Sequence, residues 1–402
     1  MKILYFVHGF PPSIGAGAIN AYKIAKYLGE FGHSILVLSP GVFSKSSPKN
    51  YLSEISNLDM NVKYSSRLMT IPLNLIFSHY ENFLKYMIKL RSSFNPDIIL
   101  SQYGGYHYAS VVGGYLSKLL KIPHIIRSHD ILFPTSSLSF PLKLMHAILY
   151  PLIYKSIPNC DIFYVTTTEM KRHLLKFKKL QDVNFKLHPN GIDTNEFFPS
   201  NNQDDLKNKY GCENILLFNG HISKSYGLQD LVNALPEILK THKDTLLLII
   251  GGGPYLNQIK NIVKRKQIDR QVKLLGLQPH DEMPYYINNS DIGLGLIAYK
   301  DTLINRYSIP VKCLEFMACK KPFISAPLST DIIKNNDVGI LLKKNFTRKD
   351  LIENLIILIE DKDLRKKLGE NGFKKIAQKF RWEDLMTNFN NNMLNLRKNK
   401  LN

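Results

Sequence analysis

Short apolar runs of strand length alternate along this chain with segments of helical spacing. The run at residues 3–7 is followed by the loop HGFPPSIGAG, a helically spaced segment at 18–30 and a second apolar run at 34–39, which together read as a βαβ unit. The alternation continues with a helix around 82–92, a strand at 98–101, a helix near 109–120 and a strand at 124–128. A strand at 162–166, a helix at 169–176 and a strand at 184–187 complete the first half. Strands that are apolar on both sides, separated by helices, predict a parallel sheet covered on both faces.

A polar stretch at 193–209 carrying Pro199 separates this half from a second start at 214–218. The same grammar then repeats, with strands at 245–250, 273–275, 292–296 and 323–325 and helices at 228–240, 255–266, 282–288 and 311–318. Amphipathic helices run to the end. The expected fold class is α/β, with two Rossmann-like doubly wound domains facing a cleft. Residues 1–195 would form the first domain and 196–378 the second, with a C-terminal helix at 379–402 packing back towards the first. Ligands of such sheets bind outside the carboxyl ends of the strands, so the loops that follow strands are the places to search.

Composition bounds the chemistry. A chain of 402 residues, 44% hydrophobic and 21% charged, is too long for one comfortable core and too apolar for disorder, except in the Asn/Lys-rich end. The 53 basic and 33 acidic residues give a net charge of +20, divided evenly as +10 in residues 1–200 and +10 in the remainder. An evenly basic protein suits an anionic partner: a nucleotide, a nucleic acid, or an anionic membrane that attracts each Lys or Arg by ~1 kcal/mol. Cys160, Cys212, Cys313 and Cys319 have neither disulfide-framework nor zinc-site spacing, which fits a reducing cytoplasm.

The first apolar run is a strand's length, below the roughly 7 to 15 residues of a signal-peptide core. The longest apolar region, 131–157, is broken by Pro134, Pro141, Lys143, Pro151 and Lys155, and predicts no bilayer-spanning helix. Within it, residues 144–154 are apolar, aromatic and flanked by lysines, with a basic stretch at 171–179 downstream. They read either as a buried segment of the first domain or as a contact with a membrane surface.

Four loops and one helix start carry candidate chemistry. Gly15, Ala16 and Gly17 place nearly bare backbone at a helix N-terminus, which suits a phosphate or simply a tight turn. The loop GHISKSYG contains Gly220, Lys224 and Gly227, where Lys224 would act as a point charge on a diphosphate or remain a solvated loop lysine. In GGGP, Gly253 and its neighbours permit close ligand approach. His129, with Asp130 in the motif RSHD, ends a strand and is placed to stabilise charge or meet a sugar hydroxyl. In SIPVKCLEFMACKKPFIS, Pro310 opens a helix whose Val311 and Lys312 present amide groups. Lys312 and Glu315 share a face there, fitting a diphosphate and a ribose diol, or a surface salt bridge worth ~0.2 to 0.5 kcal/mol.

Taken in order, PPSIGAG, the GH pair at Gly32 and His33, RSHD, HPNGID at 188–193, GHISKSYGL, GGGP, SDIGLGL and KCLEFMACKKP resemble the retaining glycosyltransferases of the GT-B fold, specifically glycosyltransferase family 4, over essentially the whole chain. The resemblance implies that Gly15, Ala16 and Gly17 approach the donor phosphate, that His129 lies near the reacting sugar, and that Glu315 meets the ribose hydroxyls. The family's phosphate-binding Arg and Lys fall on His221 and Tyr226. The chain instead fits a branch with a G-x-x-x-K-x-x-G loop and a P-x-K-x-x-E helix start, at Gly220, Lys224, Gly227, Pro310, Lys312 and Glu315. The first Glu of the family's E-x7-E motif is Tyr307, and Lys320 stands where glycine is common.

The implied reaction moves a sugar, with retention, from a nucleotide diphosphate donor held by the domain at 196–378 to a glycan or a polyprenyl- or lipid-linked acceptor held by the domain at 1–195, in cell-surface polysaccharide assembly. A UDP-sugar is favoured over a GDP-sugar, with His129 and Glu315 as catalytic candidates. The resemblance implies no metal and no other cofactor. The even spread of charge and the absence of an aromatic-basic RNA motif argue against a nucleic-acid partner, and the cysteine usage for a cytoplasmic location, with the inner membrane face as a candidate surface. The competing readings are a nucleotide-sugar epimerase or hydrolase on the same fold and, more remotely, a basic nucleic-acid-binding protein.

Overall fold

The computed structural model describes residues 1–11, 16–39, 59–64, 93–103, 108–128, 157–200, 205–297, 307, 309–327 and 337–401. The chain divides into two compact units, one of Met1–Asn190 with Glu383–Asn402 and the other of Gly191–Trp382.

The first unit is built on a seven-stranded sheet in the order β3-β2-β1-β4-β5-β6-β7. Its strands are β1 (Lys2–Phe6), β2 (Ser34–Ser39), β3 (Met60–Tyr64), β4 (Ile98–Tyr103), β5 (His124–Ser128), β6 (Ile162–Val165) and β7 (Phe185–Leu187). Every pairing is parallel, and β1 lies centrally, with Ile3 opposite both Ile35 and Ile98. The helix Tyr108–Leu120 lays Ala109, Val112 and Leu116 on Leu4, Phe6, Leu36, Leu38 and Ile99. The sequence reading has no strand at β3, an edge strand whose Met60 is buried while Asn61 and Lys63 are exposed.

The C-terminal helix Trp382–Leu401 also packs on this unit. Met386, Phe389 and Met393 are buried, and the Phe389 ring lies 4.7 Å from that of Tyr164 and 5.2 Å from that of His188. Asn390 Oδ1 lies 2.7 Å from His33 Nε2, and Arg397 pairs with Asp97 at 2.8 Å. A helix with alternating apolar and polar turns is thereby joined to the unit it packs against by both faces of that pattern.

The second unit holds a six-stranded parallel sheet in the order β10-β9-β8-β11-β12-β13. Its strands are β8 (Asn214–Asn219), β9 (Thr245–Ile250), β10 (Val272–Gly276), β11 (Ile292–Leu294), β12 (Phe323–Ser325) and β13 (Ile340–Leu341). Successive residues of β8 and β9 face opposite ways. Leu216, Phe218, Leu247 and Ile249 join a cluster with the helices Leu228–Ile238 and Arg348–Glu360, while Ile215, Leu217, Leu246 and Leu248 join one with the helix Val311–Ala318. That two-sided burial is why these strands read as unbroken apolar runs.

In both sheets the strand order reverses beside the first strand, β1 next to β4 and β8 next to β11, the arrangement that opens a crevice at the strand ends. All four cysteines are free thiols. Among the described residues no helix is long and apolar enough to cross a membrane.

Candidate functional site

In the second unit, the chain ends of β8, β9 and β10 and the start of the helix Val311–Ala318 converge at the β8/β11 reversal. The helix follows β11 and is seated directly on it, because Gly293 has no side chain. A Cβ there would lie 2.4 Å from the Phe316 ring. Pro310 at the helix cap has no side-chain acceptor and makes no side-chain cap hydrogen bond to the first turn. That turn carries Val311 and Lys312 and, one turn later, Glu315.

Lys312 is buried, and its Nζ has no hydrogen-bond partner among the described residues. It lies 4.1 Å from the centroid of the Phe218 ring and 5.6 Å from that of Tyr226, within cation–π range of both. Burial pushes its pKa down to about 8, against smaller upward contributions from Cys313 and Glu315. A buried ammonium group without a hydrogen bond is costly unless an anion completes it.

Glu315 is buried as well, and its two carboxylate oxygens are held separately. Asn219, the last residue of β8, donates through Nδ2 to Oε2 at 2.9 Å, and His280 Nε2 lies 3.2 Å from Oε1. The surface salt bridge that i, i+3 spacing allows for Lys312 and Glu315 is therefore not formed. Both groups are inside, with the carboxylate bonded to Asn219 and His280 and the ammonium over aromatic rings.

Two loops close one side of the site. Gly220 follows Asn219 with φ at +124°, and a Cβ on it would stand 3.4 Å from Lys312 Nζ. The GGGP loop after β9 runs against it, with Gly220 N donating to Ile250 O and Ile222 N to Gly252 O. Gly251 and Gly253 are glycines for that reason. A Cβ on Gly251 would lie 1.9 Å from Gly220 O, and one on Gly253 would lie 2.4 Å from Ile222 O. The contact that explains Gly253 is thus the neighbouring loop's backbone.

Of the residues singled out from sequence, the structure gathers Gly220, Val311, Lys312 and Glu315, with Gly253 buttressing their loop. Lys224 is exposed on the short turn Lys224–Tyr226, and its carbonyl accepts from Gln229 Nε2 at 3.0 Å. His221 and Tyr226 stack edge to face at 6.1 Å. Asn219, His280, Phe218 and Tyr226 were not singled out as partners of Lys312 and Glu315. Only Asn219 carried a usable signal, as a polar residue ending an apolar strand.

In the first unit, Ala16 and Gly17 open the helix Ala16–Glu30, and Gly17 O accepts from the buried Gln102 Nε2 at 3.0 Å. Gly15, His129, Asp130 and the segment 144–154 lie outside the described residues. The HPNGID motif has a structural role there. Arg127, fully buried in β5, donates through Nε to His188 Nδ1 at 3.0 Å and through Nη2 to Pro189 O at 3.4 Å and Asn190 Oδ1 at 3.2 Å. Burial lowers Arg127 to about 10, and burial followed by the guanidinium charge holds His188 well below its usual range, consistent with neutral imidazole accepting at Nδ1.

Two family models tile the chain: Glycosyltransferase Family 4 over residues 18–196 and Glycosyl transferases group 1 over residues 200–375. The N-acetyl-alpha-D-glucosaminyl L-malate synthase of Bacillus anthracis is 25% identical over 391 residues, covering 94% of this chain and 93% of that protein. The alpha-monoglucosyldiacylglycerol synthase of Acholeplasma laidlawii is 23% identical over 53% of each chain. Among solved structures, Anabaena HepE in complex with UDP and glucose superposes with a TM-score of 0.74 at 16% identity, covering 98% of this chain and 99% of that one. With two parallel-sheet α/β units, neighbours of the GT-B fold and both family models in register, the chain belongs to the family 4, group 1 glycosyltransferases.

Proposed function

We propose that the chain is a retaining glycosyltransferase that binds a nucleotide diphosphate sugar, a UDP-sugar before a GDP-sugar, through the second unit. The observation that carries this reading is the start of the helix Val311–Ala318, which Pro310 leaves without a side-chain cap and where, among the described residues, the buried Lys312 ammonium has no hydrogen-bond partner and Glu315 stands one turn away. A diphosphate would complete Lys312 and the first-turn amides, and a ribose diol would meet the carboxylate. The same cation and helix dipole would stabilise the charge that develops on the departing diphosphate, so the reaction is proposed to need no metal. Lys224 and the backbone at Gly15, Ala16 and Gly17 would add phosphate contacts, and His129 would act at the reacting sugar.

The acceptor is proposed to be a glycan or a lipid-linked glycan in cell-surface polysaccharide assembly, at the cytoplasmic face of a membrane. The net charge of +20 supports attraction to anionic lipid, and the diacylglycerol named in one relative supports a lipid acceptor. UDP in the HepE complexes supports the nucleotide preference.

The test is transfer of labelled sugar from UDP-glucose, UDP-N-acetylglucosamine and GDP-mannose to a membrane lipid extract, with and without EDTA. The product's anomeric configuration is read by NMR. Retention in the presence of EDTA is expected. An inverted product or activity lost to EDTA would remove those parts of the proposal, and no transfer from any donor would remove the whole.

A further inference from the structure

Glu315 reaches its position with help from residues far away in sequence. Asn219 arrives at the end of β8 and fixes Oε2 at 2.9 Å, while His280 arrives after β10, on the short turn His280–Glu282, and meets Oε1 at 3.2 Å. A carboxylate accepts and does not donate, so His280 carries its proton on Nε2. The imidazole is itself oriented by Phe197, a buried ring 5.3 Å away at an interplanar angle of 59°. The His280 side chain remains 22% exposed and that of Glu315 only 6% exposed, so the histidine lies on the outer side of the carboxylate it holds.

We propose that His280 is a positioning residue for donor binding, its Nε2–H fixing the Glu315 carboxylate in the orientation that receives the ribose hydroxyls. The inference rests on the donor reading of Glu315 given above. Two oxygens offer about four lone-pair sites, and Asn219 and His280 occupy one on each, leaving one on each for a diol. With Asn219 alone the carboxylate would keep one fixed oxygen and swing the other, and binding would bear the cost of ordering it. His280 thus sets affinity for the nucleotide through Glu315 and leaves the chemical step untouched.

The experiment measures UDP affinity and donor kinetics for wild type, His280→Ala, His280→Gln, Glu315→Ala and the double variant His280→Ala/Glu315→Ala. Far-UV circular dichroism confirms folding of each. Gln presents an amide N–H near the reach of Nε2. His280→Ala is expected to weaken UDP by about tenfold and raise the donor KM with kcat nearly unchanged, with His280→Gln within about threefold of wild type. In the Glu315→Ala background, removing His280 is expected to add less than about twofold, because its partner is gone.

Wild-type affinity in His280→Ala would overturn the inference, and so would His280→Gln as weak as His280→Ala. An undiminished His280 effect in the Glu315→Ala background would assign the residue to packing on Phe197. Glu315→Ala with wild-type affinity overturns the donor reading and this inference together, whereas a weakened Glu315→Ala beside an unaffected His280→Ala overturns this inference alone. Failure of UDP, GDP, ADP and dTDP alike to bind the wild-type chain also overturns both.

Discussion

Replacing Lys312 by methionine should stabilise the ligand-free protein while it removes nucleotide binding. Lys312 falls from 10.5 to about 8 on burial, and a difference of that size corresponds to ~3 kcal/mol of destabilisation wherever the folded protein must keep the group charged. Methionine fills nearly the same volume without the charge. It forfeits the ammonium's attraction to Phe218 and Tyr226, ~0.5 to 2 kcal/mol, so the net gain at pH 7 is expected to be ~1 to 3 kcal/mol.

The pH dependence follows from linkage. Between about pH 8 and pH 10.5 the unfolded chain holds the Lys312 proton and the folded one has released it, so the wild type gains stability from this group as pH rises. Below about pH 8 the full penalty applies. The advantage of Lys312→Met should therefore be largest at pH 7 and vanish towards pH 10.5. Urea denaturation of both proteins at pH 7, 8, 9 and 10 measures this, and other titrating groups cancel in the difference. A variant less stable than wild type at pH 7, or a difference independent of pH, would show that Lys312 carries no such burial penalty.

Further outcomes are expected from the same geometry. An anion beside Lys312 restores its proton, so UDP affinity should fall as pH rises from 7 to 9.5, read by calorimetry in buffers of different ionisation enthalpy. Glu315→Ala should weaken donor binding by ~1.5 to 3 kcal/mol, the range for a hydrogen bond to a charged group, measured by nucleotide titration. His129→Ala should lower kcat, by ~2.7 to 4 kcal/mol of transition-state stabilisation, more than it lowers donor affinity; an unchanged rate removes it from the chemistry. Gly251→Ala drives a methyl group against Gly220 O and should lower both urea midpoint and UDP affinity. Gln267, in the left-handed region at φ 55° where the helix Leu256–Lys266 ends, should raise the melting temperature when replaced by glycine.

The parallel architecture was legible because β8 and β9 are buried on both faces and leave runs such as NILLFN and TLLLII. β3 was not, since this edge strand buries Met60 and half-buries Val62 while Asn61 and Lys63 between and beside them are exposed and polar. The helix start at Lys312 was legible from Pro310 and i, i+3 spacing, both local features. The holders of Glu315 were not, because Asn219 and His280 lie 96 and 35 residues away and meet only through the sheet order β10-β9-β8-β11. The role of Arg127 is hidden for a related reason: in the strand HIIRS it reads as an interruption, and its partners His188, Pro189 and Asn190 follow about 60 residues later.

Binding of a nucleotide diphosphate by the second unit, at the start of the helix Val311–Ala318, is tested by a thermal-shift titration of wild type and Lys312→Met with UDP, GDP, ADP and dTDP, using the corresponding nucleosides as controls. A ligand specific to the folded state stabilises by RT ln(1 + [L]/Kd). One diphosphate is expected to raise the wild-type melting temperature progressively with concentration, its nucleoside much less, and Lys312→Met not at all. No shift with any diphosphate, or an equal shift in Lys312→Met, would show that the nucleotide does not bind at Lys312.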